Sequence, residues 1–119
     1  MAFTDTFQLA NGWMWGTSIF GSAQTNTELV AAPGAGKQIE IAGWQFSTDA
    51  SIDVALDDED QNFVVQSFLG VNKDISFMVP LDLLKSVGGI KLVDNKALDV
   101  TTVGTGNAFV GVLYRVVTR

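Results

Sequence analysis

From residue 28 onward the chain runs in short apolar stretches, each closed by Gly, Asn, Asp or Ser, which is the punctuation of successive antiparallel strands. Ile39 and Ile41 alternate with Glu40; after Ala42 and Gly43 the apolar parity switches to Trp44 and Phe46, as a β-bulge or a doubly buried strand produces. Ile52, Val54 and Leu56 alternate with Asp53 and Asp57, predicting one buried and one wet face. Residues 63–69 and 109–117 are apolar on both faces and read as central strands. Ile75, Phe77 and Val79 form another run, and Gly88-Gly89 breaks the chain before Ile90 and Leu92. Leu98, Val100 and Thr102 then lead through Gly104 and Gly106 into the last strand. Only residues 81–86, ended by Gly88, suit a helical turn or two. The pattern predicts an all-β domain, an antiparallel β-sandwich of jelly-roll-like form in which two paired sheets bury both inner faces.

The first 23 residues break this rhythm. They carry Phe3, Phe7, Trp13, Trp15 and Phe20 without sustained helical or strand periodicity. Rings of this size bury against the chain's own core or against a neighbouring subunit. The expected division is an aromatic-rich arm or edge segment over residues 1–25 and a sandwich domain over 26–119, with those five rings as the partner-binding candidates.

Composition narrows the chemistry. At 119 residues the chain supports one core, and 12 glycines beside 2 prolines fit an ordered fold with many turns. The net charge is −6, and the basic residues stand singly at 37, 73, 85, 91, 96, 115 and 119, so no basic stripe is available for nucleic acid. The absence of cysteine removes disulfides, thiolate nucleophiles and Cys-ligated zinc. The absence of histidine removes the usual general base near neutral pH, the usual transition-metal ligand and every Ser-His pair. No enzyme activity, cofactor or metal is therefore expected. The start of the chain has neither a basic lead nor an uninterrupted apolar run, so neither a secretion signal nor a membrane span is expected there.

Three motifs invite chemistry. Gly36-Lys37 suggests a phosphate loop, but Ala31 stands where the first glycine belongs, Gln38 replaces the hydroxyl residue, and a strand pattern follows in place of a helix. The segment reads as a turn that launches the Ile39 strand, with Lys37 in solvent. The run Asp57-Asp58-Glu59-Asp60-Gln61-Asn62 has carboxylates for calcium but no central glycine, and reads as a solvated hairpin turn. Asp53 and Asp57 on a wet face, and Asp94 and Asp99 around a turn, are explained by solvation before a glycosidase pair is needed.

Residues 28–119 resemble a family of small virion proteins of tailed bacteriophages, the head decoration proteins and related structural modules. The resemblance lies in Leu29-Val30-Ala31-Ala32-Pro33-Gly34-Ala35-Gly36-Lys37 and in the Ile39-Ile41 strand ending in Gly43-Trp44 and Phe46-Ser47. It continues in Leu98, Val100-Thr101-Thr102, Gly104 and Gly106 before a closing Val110-Gly111-Val112 and Tyr114. It implies a homo-oligomer, a trimer favoured, that binds the major capsid protein or other virion subunits on the capsid surface after synthesis in the host bacterial cytoplasm. The residues before 28 depart from the family pattern. The competing expectation is a tail or fibre module that recognises a host-surface glycan by stacking sugars on Trp13 and Trp15.

Overall fold

A computed structural model describes residues 3–118. In chain order it has β1 (Asp5–Gln8), a 3-10 turn (Ala10–Gly12), β2 (Met14–Phe20), β3 (Gln24–Val30), β4 (Lys37–Thr48), β5 (Ile52–Asp58) and β6 (Phe63–Leu69). Then follow β7 (Lys73–Met78), α1 (Leu81–Ser86), β8 (Ile90–Lys91), β9 (Leu98–Val103) and β10 (Ala108–Thr118). One sheet has the order β1-β2-β10-β4-β7, with β8 also on β4; the other has the order β3-β9-β5-β6. All pairings are antiparallel.

The two sheets pack through the apolar sides of their strands. Ile39, Ile41, Phe46, Val110 and Val112 from the six-stranded sheet meet Leu29, Ile52, Val54, Leu56, Leu98 and Val100 from the four-stranded one, and all are essentially sealed from solvent. The parity switch in β4 is a bulge at Ala42: Leu113 opposes Gly43 while Tyr114 opposes Ile41, so Ala42 has no partner in β10. Without that extra residue, Ile39 and Ile41 on one side and Phe46 on the other would point to opposite faces.

Two expectations are corrected. Residues 63–69 form an edge strand, because β6 pairs only with β5; its double-sided apolar pattern arises from exposed rings, with Phe68 80% accessible. Nor does the chain divide at residue 25, which lies inside β3, while β1 and β2 belong to the six-stranded sheet. Phe3 ties this segment to the core: its N–H donates to Leu29 O at 3.1 Å, and its ring stacks on Tyr114 at 5.7 Å. The ring lies where a Cβ on Gly16 would sit, so only glycine at 16 lets Phe3 close on the back of β2. Met1 and Ala2 lie outside the described residues.

Phe3→Ala is therefore expected to lower unfolding free energy by about 3 kcal/mol, the usual cost of removing a buried ring. Urea denaturation at neutral pH measures it; a change below about 0.5 kcal/mol would mean that the segment is a detachable arm.

Candidate interaction surface

Strand alternation splits the five aromatic candidates. Phe3 and Phe20 are buried in the core, whereas Trp13 and Trp15 are half-buried and Phe7 is 56% accessible. Phe7 opposes Trp15, Trp15 opposes Leu113, Leu113 opposes Gly43, and Gly43 opposes Met78. Directly opposed residues share a face, so these five form one row across β1, β2, β10, β4 and β7 on the side of the sheet away from the core. Two glycines flatten the row: the Trp15 indole lies over Gly111, and the Met78 side chain lies over Gly43. Met78 itself stays 54% accessible.

Beside the row is an open hollow of about 550 Å³, lined by Leu9, Trp13, Leu81, Leu84, Leu113 and Arg115 among others. The 3-10 turn supplies one wall and α1 the other. At this wall α1 leaves Leu81 exposed rather than burying it.

A second row fixes the floor. Arg115 opposes Glu40, and Glu40 opposes Lys91, across β10, β4 and β8. Arg115 Nε donates to Glu40 Oε1, Lys91 Nζ lies 3.4 Å from Glu40 Oε2, and the Gly89 N–H donates to that same oxygen at 2.8 Å. The Arg115 guanidinium then sits 4.4 Å from the centre of the Trp13 ring, a cation–π stack, and its Nη1 donates to Asn11 O at 3.4 Å. Burial alone would raise the Glu40 pKa, but the Gly89 N–H, Arg115 and Lys91 together hold the carboxyl below its ordinary range. Neither Arg115 nor Glu40 announces itself in the sequence, where Glu40 reads as the polar member of an alternating strand.

The other motifs resolve differently. Lys37 is exposed, and the N–H groups of Gly34 and Gly36 donate to Asn95 Oδ1 at 2.8 Å and Asp94 Oδ2 at 3.3 Å. Side chains of the turn before β9 thus occupy amides that a phosphate loop would present. The acidic run is only partly solvated. Asp58 is buried and shapes its own turn, accepting from the N–H groups of Asp60 at 2.8 Å and Asn62 at 3.0 Å. Burial opposes its ionisation, yet these Asn62 and Asp60 bonds, helped by the Lys96 charge, hold its pKa below the ordinary value. Asp57 and Asp99, expected in solvent, are buried. Among the described residues no group of three or more His, Cys, Asp or Glu side chains is placed to hold a metal. None of the described helices is long and apolar enough to cross a membrane.

The four-stranded sheet has its own exposed apolar residues, Phe63, Phe68 and Val103, around a smaller hollow of about 170 Å³. No family model, curated protein or solved structure matches this chain.

Removing Arg115 leaves the Glu40 carboxylate buried with Lys91 as its remaining cation. Arg115→Met is expected to cost about 3 kcal/mol by urea denaturation at pH 7, and adding Glu40→Gln to recover part of that loss. Because the Glu40 pKa is depressed on folding, its contribution is full above the ordinary glutamate range and is lost as the pH falls through the folded value. An Arg115→Met protein as stable as wild type would show that the pair does not hold this floor.

Proposed function

We propose that this chain is a structural protein of a tailed-bacteriophage virion, a capsid decoration protein that binds the assembled head through the outer face of its six-stranded sheet. The observation that carries the reading is the row from Phe7 to Met78 with the hollow beside it: apolar side chains presented on a paired sheet rather than on mobile loops. A sheet whose backbone is already fixed loses little further freedom on docking, so apolar contacts convert to affinity with less ordering cost.

The architecture supports the same reading. With β1 and β8 set aside, strands β2-β10-β4-β7 pack on β3-β9-β5-β6, an order that supports reading the two sheets as jelly-roll-like, an architecture used by viral capsid and lectin domains. Fold alone assigns no function. The weight falls on its combination with the surface row and with a residue inventory that lacks histidine and cysteine. A decoration protein needs no chemistry. It stabilises a shell by binding the assembled form in preference to the free subunits, and a symmetric trimer multiplies weak contacts into firm attachment.

Glycan recognition has less behind it. Sugar stacking needs a broad open ring face, whereas Trp13 is stacked with Arg115 and Trp15 lies against Gly111.

The test is co-sedimentation with expanded heads and, separately, with isolated major capsid protein of the phage that encodes the chain. Wild-type protein is expected to run as an oligomer and to pellet with heads only. Phe7→Ser with Met78→Ser is expected to weaken binding at least tenfold while leaving the melting temperature within a few degrees. A monomer without affinity for heads, or a double variant that binds as wild type does, would overturn the reading. A glycan-array signal abolished by Trp13→Ala would transfer it to a tail or fibre module.

A further inference from the structure

On the opposite side of the molecule, two acids are buried face to face. Asp57 of β5 and Asp99 of β9 are directly opposed in register and are 1% and 4% accessible. Their neighbours Leu56 and Val100 point into the core, so alternation places both carboxyls on the outer side of the four-stranded sheet. Glu28 of β3 opposes Asp99 from the other flank, which makes a row of three acids across three strands. We propose that Asp57 and Asp99 form a proton-binding site whose occupancy tightens the four-stranded sheet in mildly acidic solution.

The hydrogen bonds leave room for such a proton. Asp57 Oδ2 accepts from the Thr101 hydroxyl at 3.2 Å, but Asp57 Oδ1 and Asp99 Oδ1 are buried with no partner. Opposed residues of antiparallel strands have Cβ atoms roughly 5 Å apart. Two carboxylates at that range, out of water, do not both ionise without cost. Among the described residues, the adjoining acids add to the repulsion. The end of β5 and the turn after it bring Asp58, Glu59 and Asp60; Glu59 Oε1 accepts the Ala97 N–H at 2.9 Å, and Lys96 pairs with Asp60 at 2.8 Å. Asn26 closes over the turn through Nδ2 to Glu59 O at 3.2 Å. Burial first, then the charges of Asp57 and Glu28, push the Asp99 pKa from 3.8 up to about 6, and burial likewise raises that of Asp57.

The sign follows from linkage. A carboxyl whose pKa rises on folding binds its proton more tightly in the folded chain, so stability increases as pH falls through about 6 toward the unfolded value of 3.8. The chain has no histidine, so between pH 5 and 8 little else titrates apart from the α-amino group. The acids with depressed values, Glu40, Asp49 and Asp58, withdraw their support only at lower pH.

Thermal melts of the full chain from pH 8 to pH 5, with EDTA and constant salt, test this. The folding constant is expected to grow about tenfold across that range. Asp99→Asn should flatten the profile and melt above wild type at pH 8. Should that variant fail to fold, Asp57→Asn gives the same readout, and carboxyl carbon NMR of the wild-type protein should show an aspartate titrating near 6. A flat wild-type profile with every aspartate titrating below about 5 would overturn the proposal. So would calcium chloride raising the wild-type melting temperature at pH 8 but not that of Asp99→Asn, because the site would then take a cation in place of the proton.

Discussion

β10 is hydrogen-bonded along most of its length to β2 on one side and along all of it to β4 on the other, and the placement of the outer row of the six-stranded sheet depends on that registration. Alternation along β10 sends Val110, Val112 and Tyr114 into the core and presents Leu113 outward, between Trp15 and Gly43. A slip of one residue would exchange these sets, burying the outer row and exposing the core. Two local features hold the register. The Ala42 bulge absorbs one residue between Gly43 and Ile41, and just beyond it Arg115 locks to Glu40. A buried ion pair is a poor source of net stability but a good arbiter of register, because every alternative pairing strands a charge.

The molecule has two unlike outer faces, each set by the register of its own sheet. On the six-stranded sheet, the buried carboxylate of Glu40 is paired with both Arg115 and Lys91, and an apolar row lies next to that ion cluster. On the four-stranded sheet, Asp57, Asp99 and Glu28 line up, and Lys96 pairs with Asp60 beside them. One face has its buried acid paired with cations and exposes an apolar row. The other responds to protons. They are separated by the core, so changes on one face should leave the other nearly untouched.

Much of this was legible in the sequence, and the failures share a cause. Period-two alternation marked β4, β5 and β9, because a strand with one buried face leaves that imprint; a run apolar on both faces marked β10, and the switch at Ala42-Gly43 marked the bulge. The helical turn at residues 81–86 showed in its Leu spacing and in the Gly88 that ends it. Alternation does not say what covers a polar face, so Asp57 and Asp99 read as solvated although both are buried, and nothing in the pattern showed that Gly89 and Lys91 meet Glu40. Nor does it separate a central strand from an edge strand with apolar residues on its open side, which is why β6 misled. In residues 1–23 the rings announced themselves, but Phe3 and Phe20 went inward and Phe7, Trp13 and Trp15 outward according to pairings that only the assembled sheet defines.

On the proposed function, the outer face of the six-stranded sheet is the surface that meets the head. Hydroxyl-radical footprinting of the chain on expanded heads, read by mass spectrometry, tests it side chain by side chain. Phe7, Trp13 and Met78 are expected to lose reactivity on binding while Phe68, on the other sheet, keeps it. Protection of Phe63 and Phe68 with Phe7 and Met78 unchanged would contradict it.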